Sequence, residues 1–541
     1  MLRALLTVLG VSLVLTGSAG SGSRRADPPA LPGAPTFFIS GHGWGHGLGM
    51  SQYGAYGYAL HGWKYDQIVR HYYTGTTIGQ APIERVRVLL SDGTQGATIS
   101  SKQPIQVVGA DGAKLTLDAG SYRVGAGFKA KDPDKPNAKP RAFAYPIDFR
   151  PASGALALNG RGYRGWLRVL KVGAKVRIVN VVDLDLYLRG VVPSEMPKDW
   201  APEALKAQAV AARSYAVSHL HSGGGYDLFP DTRDQVYLGI PHEAPATTAA
   251  VNATAGQVAL YRGKVASTYF FSTSGGRTAS VQDLYPNSPP IPYLVSVADK
   301  YDSISPYHDW GPYRFTPRKL ARGLKVPGRL LDVQTLASSS GRVRSVVATG
   351  SRGQVTVDGS KVRVALGLRS TWFSVGVLAL GAPSQPVSFG TATRLDGTAR
   401  GVGSVELQQR GPDGRWKTVS TLKPRGGAVA PKIRPKSSSR FRLAVDDISS
   451  SPVAVSVARS VRLHVPYDLS GFWGTVRPVA SGVAVRIQRQ TGAGWRTVAT
   501  VRTKPNGRFT LARAVAAGTY RARVAAGAGF VAGVSAPVTR S

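Results

Sequence analysis

The stretch that decides the fold is LYLRGVVPSEMPKDWAPEALKAQAVAARSYA, residues 186–216. Its alanine-rich second half predicts a long helix over residues 201–220. Pro202 suits the first turn of that helix, and Glu203 complements the positive end of its dipole. An apolar, strand-like run precedes the helix, so Glu195 is predicted to lie in the loop that joins the two elements.

Glu195 is the residue in this stretch most suited to chemistry. Pro193 and Pro197 bracket it and restrict the backbone, while Met196 and Trp200 supply apolar neighbours. A carboxyl held on a stiff loop among apolar side chains can have a raised pKa, because burial disfavours its charged form. A general acid needs such a pKa, so the pattern favours acid catalysis by Glu195.

Two cations follow on the predicted helix. Lys206 and Arg213 are seven residues apart and therefore share a face, with Ala209 and Val210 between them. Beside Glu195 they would be able to hold an anionic or acetamido-bearing substrate. The competing interpretation is a structural salt bridge between Glu195 and Arg213, and the spacing alone does not decide between the two.

Composition limits the class of protein. The length of 541 residues indicates two to four domains, and the formal net charge of +38 indicates a polyanionic partner. Nucleic acid, acidic lipid and the acidic polymers of a bacterial wall all fit that charge. The chain has no cysteine, which excludes disulfides and thiolate metal ligands.

The first twenty residues, MLRALLTVLGVSLVLTGSAG, predict a secretory signal. Arg3 precedes an apolar run from Ala4 to Leu15 that is short for a membrane span, and small residues follow it. No other stretch approaches a transmembrane helix. We therefore expect a secreted protein at the cell wall, which argues against nucleic acid as the partner.

Changes in composition divide the rest of the chain. We expect a linker, then an α+β region with a strand-rich framework and one long helix, then two all-β domains. The predicted boundaries are 21–36 for the linker, 37–381 for the α+β region with a strand-rich part at 83–130, and 382–464 and 465–541 for the two all-β domains.

An internal repeat predicts the two all-β domains. LQQRGPDGRWKTVSTLKP around Trp416 matches IQRQTGAGWRTVATVRTKP around Trp495, and FRLAV at Phe441 matches YRARV at Tyr520. Both matches have an offset of 79 residues, and short strands between turns favour tandem immunoglobulin-like sandwiches. This basic part of the chain is either a solvated spacer or an electrostatic anchor to anionic wall polymers.

Residues 186–216 resemble the core signature of the stage II sporulation protein D (SpoIID) family, which includes amidase-enhancer proteins. DQVYLG, YFFSTSGGRT, YLVSVAD, SPYHDW and LGLRSTWF follow in that family's order, within residues 163–374. The segment GHGWGHGLGMSQYGAYGYALHGWKYDQIVRHYYTGT, residues 41–76, is similar to one that usually closes the family's domain. Here it comes first, as in a circular permutation, which is tolerated when the ends of a domain lie close together.

The resemblance implies a SpoIID-type catalytic region that acts as a lytic transglycosylase on peptidoglycan glycan strands, preferentially strands stripped of stem peptides. It places the catalytic glutamate of the SEMP motif on Glu195 and the assisting cations on Lys206 and Arg213. One carboxylate is enough for such an enzyme, because the muramoyl 6-hydroxyl replaces water and closes a 1,6-anhydro ring. The alternative is a non-catalytic wall-binding protein that stimulates a cell-wall amidase.

A hydrolase that works with two carboxylates would need a second acid near Glu195. Asp183 and Asp185 are better explained as turn or cap residues, and Asp199 and Asp234 have no comparable motif context. The sequence therefore favours the mechanism with one carboxylate.

The chain departs from its relatives where many of them carry a Cys/His cluster consistent with zinc. Phe229, Arg233 and Asp234 stand at those positions, and Ser272 and Arg277 stand where histidines are frequent. Such a site needs thiolate or imidazole ligands, which are missing at these positions, so we predict no zinc or other metal and no other cofactor. Arg233 and Asp234 are candidates for an ionic substitute.

The segment from Gly41 to Gly49 has glycine at every second position. It lacks the glycine spacing of a dinucleotide fingerprint and the closing Gly-Lys of a phosphate loop. His42 and His46 are alternative candidates for metal ligands, but the sequence shows no third ligand for such a site. Alternating glycines more often mean close backbone approach or unusual backbone angles, which would leave Trp44 and Tyr53 free to line a sugar-binding wall.

We expect the cleft to combine this N-terminal segment with the Glu195 region. Gln52 and His46 are the preferred partners for hydrogen bonds to substrate, and helices over 50–60 and 65–73 would brace the wall. The complete predicted set of substrate-binding residues is His42, Trp44, His46, Gln52, Tyr53, Gln208, Tyr237 and Ser274.

Overall fold

The computed structural model describes residues 33–466, 470–492 and 494–541. The predicted secretory signal and the linker as far as residue 32 lie outside the described residues. Within these ranges the chain forms 42 strands and eight α-helices, and none of those helices is long and apolar enough to cross a membrane. The fold is therefore strand-rich, with the helices confined to residues 52–366.

The described chain opens with a strand and two helices. In order, the first elements are β1 (Thr36–His42), β2 (Met50–Ser51), α1 (Gln52–Leu60), α2 (Tyr65–Tyr72) and β3 (Thr77–Gln80). The hydroxyl of Ser51 accepts the N–H of Gly54 at 3.2 Å and caps α1. The predicted helix start at Met50 is wrong, because Met50 and Ser51 pair in parallel with Phe270 and Phe271.

Two sheets form the strand-rich framework. Its strands are β4 (Arg85–Thr94), β5 (Gly96–Ser101), β6 (Ile105–Val108), β7 (Lys114–Leu117), β8 (Gly120–Gly125), β9 (Lys129–Ala130), β10 (Arg141–Ala142), β11 (Ile147–Pro151), β12 (Leu156–Leu158), β13 (Arg161–Tyr163), β14 (Trp166–Val172) and β15 (Lys175–Asp183). One sheet has the order β4, β15, β14, β11, β6, β7, and the other has the order β13, β12, β5, β8. Apolar side chains from both sheets share one core, since each strand buries alternate residues.

Three helices follow, which are α3 (Leu184–Glu195), α4 (Pro202–Ser218) and α5 (Pro245–Ala253). The carboxylate of Asp183 starts α3 by accepting the N–H of Asp185 at 3.0 Å. Glu195 is the last residue of α3, so the prediction that it lies in a loop is wrong. The apolar run before it has helical spacing, with buried residues at Leu184, Tyr187, Leu188, Val191 and Val192.

The α+β region ends with small sheets and short helices. They are β16 (Gln257–Tyr261), β17 (Lys264–Val265), β18 (Phe270–Phe271), α6 (Val281–Leu284), β19 (Asp309–Phe315), α7 (Pro317–Leu324), β20 (Leu330–Ala337), β21 (Val343–Gly350), β22 (Gly353–Asp358), α8 (Gly359–Leu366) and β23 (Phe373–Leu380). β1 lies between β19 and β23 in one antiparallel sheet, with Thr36 opposite Leu378. The two ends of the region therefore meet, which is the arrangement that a permuted order requires.

α4 is the buried centre of this region. It contacts α1, α2, α3, α5 and β16, and most of its residues from Ala204 to Ala216 are buried. Its alanines suit this place because small side chains allow several elements to approach one helix closely. The predicted bounds of 201–220 and the observed bounds differ by one or two residues at each end.

Beyond residue 380 the described chain contains strands only. They are β24 (Val387–Ser388), β25 (Thr393–Arg394), β26 (Gly397–Arg400), β27 (Val405–Arg410), β28 (Trp416–Leu422), β29 (Ala428–Val429), β30 (Lys432–Ile433), β31 (Ser439–Val445), β32 (Ile448–Ser449), β33 (Val453–Val455), β34 (Val457–Ala458), β35 (Ser460–His464), β36 (Phe472–Arg477), β37 (Ala484–Thr491), β38 (Gly494–Arg502), β39 (Arg508–Leu511), β40 (Gly518–Val524), β41 (Gly533–Val534) and β42 (Val538–Arg540). This all-β character agrees with the prediction for residues 382–541.

The sequence repeat is also a structural repeat. β27, β28 and β31 of the first copy correspond to β37, β38 and β40 of the second, each set pairing in the same order. The guanidinium of Arg442 stacks over Trp416 at 4.3 Å, and Arg521 stacks over Trp495 at 4.2 Å. The same side chains therefore form the same contact in both copies.

The α+β region and the first all-β repeat are not separated at the predicted boundary of residue 381. β26 and β29 extend the sheet of β19, β1 and β23, and Phe38 shares a core with Leu407 and Phe441. A boundary at residue 381 therefore cuts through one sheet and its core. β35 pairs with β36, so the second copy includes residues 460–464.

Candidate active site

Glu195 ends α3 with its carboxyl largely enclosed by protein. Burial raises the pKa of Glu195 above its ordinary value, and the backbone N–H of Val236, which faces the carboxyl, acts in the opposite direction to a smaller extent. Within the described ranges no cation lowers the pKa of this carboxyl through an ion pair. Glu195 is thus held toward its neutral form, which is the form that can donate a proton.

Gln52 connects the N-terminal segment to Glu195. Its Nε2 donates to the backbone carbonyl of Glu195 at 2.8 Å and lies 3.5 Å from Oε1 of Gln208 on α4. This carbonyl is at the C-terminal end of α3, where a helix leaves its acceptors open. The bond therefore fixes the end of α3 and brings together the two parts of the chain that were expected to form one cleft.

An aromatic wall, made of Trp44, Tyr53, Tyr56, Trp200 and Tyr307, adjoins this site. Trp200 stacks on Tyr56 with ring centres 4.6 Å apart and meets the ring of Tyr53 edge-on at 4.7 Å. Trp44 meets Tyr307 edge-on at 4.5 Å. The backbone N–H groups of Tyr53 and Trp44 donate to the carbonyls of the consecutive residues Ser272 and Thr273, at 3.0 and 2.8 Å, which connects the two groups of rings. Such ring faces suit the apolar faces of sugars.

The alternating glycines let this segment pass close to another backbone. Trp44 and Thr273 exchange two backbone hydrogen bonds of 2.8 and 3.0 Å. Gly43 has a φ of +71°, and a Cβ there would lie 2.5 Å from the carbonyl oxygen of Thr273. The predicted close approach and unusual backbone angles are therefore both present, and they leave the side chain of Trp44 40% exposed.

The two histidines of this segment have separate partners. His42 Nδ1 lies 2.5 Å from Oδ1 of Asp309, on the surface. His46 Nδ1 accepts the N–H of Leu48 at 3.1 Å, and burial followed by the charges of two arginines lowers the pKa of His46 to about 4. His46 is therefore neutral at physiological pH. Among the described residues, no three His, Asp or Glu side chains are grouped closely enough to hold a metal ion.

Arg213 is completely buried and does not pair with Glu195. Its Nε donates to Oδ1 of Asp185 at 2.7 Å, and its Nη1 donates to the carbonyl of Gln257 at 2.9 Å. The interpretation that Glu195 and Arg213 form a structural salt bridge is wrong, because Asp185 is the partner. Arg213 instead fastens α4 to the first turn of α3, whose last residue is Glu195.

Lys206 is also engaged on its own helix. Its Nζ lies 2.7 Å from Oε1 of Glu203, one turn earlier on α4. Glu203 accepts the backbone N–H of Tyr65 at 2.9 Å as well, so the pair holds the start of α2. Assistance to catalysis by Lys206 and Arg213 stays a prediction, and the observed contacts give both residues a supporting role.

Three of the four acids considered as a second carboxylate have other partners. Asp183 caps α3, and Asp185 binds Arg213 as well as the N–H of Gly256. Asp234 accepts from His221 at 2.9 Å and from the N–H of Phe229 at 2.8 Å. Asp199 is exposed between α3 and α4.

The region that matches the relatives' Cys/His cluster is held by other contacts. Arg233 pairs with Asp231 and lies over the ring of Phe229 at 3.7 Å, while Asp234 pairs with His221. Both residues form ion pairs in this region, each with a different partner, and their role as an ionic substitute for the zinc site stays a prediction.

Besides Gln52, three predicted substrate-binding residues are buried. Tyr237 donates to Oδ1 of Asn180 at 2.9 Å, and the hydroxyl of Ser274 accepts the N–H of Gly276 at 3.0 Å. Gln208 lies below the surface beside Gln52, and its Nε2 has no hydrogen-bond partner among the described residues. Contact of these three residues with a substrate stays a prediction.

Sequence reasoning missed Asp302, Tyr307 and Arg369. Asp302 is buried and accepts from the hydroxyl of Ser51 at 2.8 Å and from Nδ1 of His308 at 3.0 Å, so it joins β2 to the segment that carries Tyr307. Tyr307 and Arg369 lie in the SPYHDW and LGLRSTWF blocks. Nothing local in those blocks indicates that both side chains meet Trp44, which is more than 250 residues earlier in the chain.

The fold and site define a strand-rich protein with an enclosed glutamate beside an aromatic wall. Comparison with known proteins finds a family match for part of this chain. Residues 172–261, which include α3, α4 and α5, match the model of the stage II sporulation protein family, SpoIID. The match contains Glu195, Lys206 and Arg213. Over these residues the chain is similar to the SpoIID family.

Individual relatives agree with the family match. The chain is 33% identical over 214 residues to "Stage II sporulation protein D" of Bacillus subtilis, covering 36% of this chain and 61% of that protein. It is 38% identical over 143 residues to an uncharacterized protein of Brachyspira hyodysenteriae (26% of this chain, 38% of that protein). It is 38% identical over 116 residues to "Amidase enhancer" of B. subtilis (21% and 15%). The chain thus spans less than two thirds of these relatives.

Proposed function

We propose that this protein is a secreted lytic transglycosylase that cuts peptidoglycan glycan strands and leaves 1,6-anhydro-muramoyl ends. The observation that carries the proposal is the carboxyl of Glu195. It is enclosed, its pKa is raised by burial, it has no ion-pair partner among the described residues, and it lies next to an aromatic wall. A buried carboxylate with a purely structural role would be paired with a cation, and among the described residues Glu195 has no such partner.

In the proposed reaction Glu195 acts twice. Its neutral carboxyl first donates a proton to the glycosidic oxygen, and the bond from C1 of the muramoyl residue to that oxygen breaks. The resulting carboxylate then takes the proton of the muramoyl 6-hydroxyl, whose oxygen bonds to C1 and closes the anhydro ring. The proton is returned to Glu195, so no water is consumed.

The surrounding contacts suit a reaction with one carboxylate. Asp183, Asp185 and Asp234 are taken up by a helix cap, by Arg213 and by His221. An inverting hydrolase would need a second carboxylate about 6.5 to 9.5 Å from the first, free to activate water. Gln52 and the Asp185–Arg213 pair hold both ends of α3, so the position of Glu195 is fixed before the substrate binds.

The test is digestion of glycan strands stripped of stem peptides, followed by mass spectrometry. We expect products lighter by one water than hydrolytic products from the parent protein, and none from Glu195→Gln. The matched control is Glu84→Gln, since Glu84 is an exposed glutamate in the loop between β3 and β4. Products with normal reducing ends would make the protein a hydrolase, and the absence of any cleavage by the parent would contradict the enzymatic proposal.

The likeness to a protein named amidase enhancer supports a second candidate function. In it, the chain would bind wall glycan without cutting it and stimulate an N-acetylmuramoyl-L-alanine amidase. The two functions differ in their dependence on Glu195, because glycan binding survives the loss of a proton donor. Stimulation of an added amidase by parent and Glu195→Gln alike, without any glycan cleavage, would favour the enhancer.

A further inference from the structure

We infer that Trp44, Tyr307 and Arg369 form a carboxylate-binding subsite for the lactyl group of a muramoyl residue that has lost its stem peptide. The inference rests on the proposed glycan substrate and adds a determinant of specificity to it. The three residues come from the glycine-rich segment, from the SPYHDW block and from the LGLRSTWF block, which meet only in the folded chain.

Arg369 is held by two rings and by its own backbone. Its guanidinium carbon lies 4.4 Å from the ring centre of Tyr307 and 4.9 Å from that of Trp44. Its carbonyl oxygen accepts the N–H of Gly45 at 3.1 Å, which ties this residue to the glycine-rich segment. The guanidinium is therefore positioned in advance, and the entropy lost when it binds a partner is small.

The N–H donors of this guanidinium have no acceptor among the residues that the structure describes. In the described part of the chain, the Arg369 side chain forms no ion pair and no hydrogen bond, and its only partners are the two rings. The acid on the neighbouring segment, Asp309, is bound by His42 at 2.5 Å. Trp44 is 40% exposed, so the group lies at the surface where a ligand can reach it. A fixed, unpaired guanidinium at a surface is suited to a carboxylate.

The subsite continues the aromatic wall that begins at Glu195. Tyr53 and Trp44 donate their backbone N–H groups to the carbonyls of the consecutive residues Ser272 and Thr273, at 3.0 and 2.8 Å. The ring of Tyr53 meets that of Trp200 at 4.7 Å. Gln52, the residue before Tyr53, donates to the carbonyl of Glu195. A glycan strand that lies along the wall would thus have its cleavage point at Glu195 and a neighbouring sugar at Arg369.

The chemistry of the strand decides which group Arg369 would contact. N-Acetylglucosaminyl residues are uncharged, whereas each muramoyl residue carries a lactyl carboxyl. That carboxyl is an amide when a stem peptide is attached and a free carboxylate when the peptide has been removed. A guanidinium at this place therefore distinguishes stripped strands from peptide-bearing strands by the charge of one group.

The test measures binding in a Glu195→Gln background, so that no strand is cut. The probes are stripped glycan strands, the same strands with their carboxylates converted to methylamides, and chitooligosaccharides of equal length. We expect stripped strands to bind about ten-fold more tightly than either uncharged probe, as one charge-assisted contact implies. Arg369→Gln should remove this preference, while Arg318→Gln, which removes an exposed arginine on α7, should keep it.

The outcomes separate this inference from the proposed function. A ten-fold preference that survives Arg369→Gln, or that is equally reduced by Arg318→Gln, would overturn the subsite. Equal binding of all three probes to the parent background would overturn it as well. If the parent protein cuts no strand but the preference is present and depends on Arg369, the enzymatic proposal fails and the subsite stands. Thermal unfolding of each variant checks that the fold is kept.

Discussion

Arg213 is bound by Asp185, with Nε of the arginine 2.7 Å from Oδ1 of the aspartate, and both residues lie on the helices that frame Glu195. Arg213 is completely buried, and Asp185 at the start of α3 is only partly exposed. The pair therefore connects the beginning of α3 to α4, while Gln52 holds the end of α3. The glutamate of the site is positioned through a helix whose two ends are fastened separately.

Removal of Asp185 should destabilise the protein strongly. Asp185→Asn leaves the buried guanidinium of Arg213 without its counter-charge, and breaking a buried pair in this way costs about 3 kcal/mol or more. The measurement is the free energy of unfolding in urea. The matched control is Asp66→Asn, which breaks an exposed pair with Arg70 on α2 and should cost less than about 1 kcal/mol. Equal losses for the two variants would contradict the supporting role of Asp185.

Activity should decrease as the pH rises through the pKa of Glu195. Burial raises that pKa above its ordinary value of 4.5, and the reaction begins from the protonated carboxyl. The proton donor is therefore present below the raised pKa and is lost above it. The measurement is kcat/KM on stripped strands against pH, which should show its alkaline limb above the ordinary range of glutamate. A rate that increases steadily through that range would assign the proton donor to another group.

The Glu195→Gln variant should be more stable than the parent at neutral and alkaline pH. A raised pKa means that ionising the buried carboxyl opposes folding, so the parent loses stability as the pH rises through that pKa. The neutral amide has no such loss. Thermal midpoints of the two proteins should agree at low pH and diverge in favour of Glu195→Gln as the pH rises. A constant difference between them would mean that the effect is not the ionisation of Glu195.

Alanine at Gly43 should disturb the aromatic wall more than alanine at Gly62, which has a positive φ as Gly43 does but no close neighbour. Gly43 and Gly62 have φ values of +71° and +85°, so alanine is strained at both. A Cβ on Gly43 would also lie 2.5 Å from the carbonyl of Thr273, whereas a Cβ on Gly62 has nothing within 4 Å. We expect Gly43→Ala to weaken glycan binding and to lower the thermal midpoint, and Gly62→Ala to cause only a small decrease in the midpoint. Equal effects would mean that close approach at Gly43 is unimportant.

The basic second repeat should contribute to wall binding in a salt-sensitive way. Residues 459–541 contain thirteen arginines and lysines against one aspartate. Truncation after residue 458 removes this repeat without cutting the sheet that joins the first repeat to the α+β region. Binding to purified cell walls should decrease at low salt and differ little from the full chain at high salt, since ions screen exposed charges. Unchanged binding at low salt would make this repeat a spacer.

Much of the architecture could be predicted because its information is local. The Ala-rich run predicts the helix α4, the 79-residue offset predicts the repeat, and the alternating glycines predict close backbone approach. The place of Glu195 was missed although its signal was present. The run from Leu184 to Val192 has helical spacing, whereas Pro193 and Pro197 are typical of a loop and led to the wrong prediction.

The sequence by itself determined the family signature, the candidate acid at Glu195, the strand-rich character and the positive charge, because each depends on residue types at short range. Only the tertiary structure decided which charges pair. Arg213 pairs with Asp185 rather than with Glu195. Arg369 packs on Trp44 and Tyr307, and no acid among the described residues pairs with it. Such choices depend on burial and distance between segments far apart in the chain, and spacing along the sequence carries neither quantity.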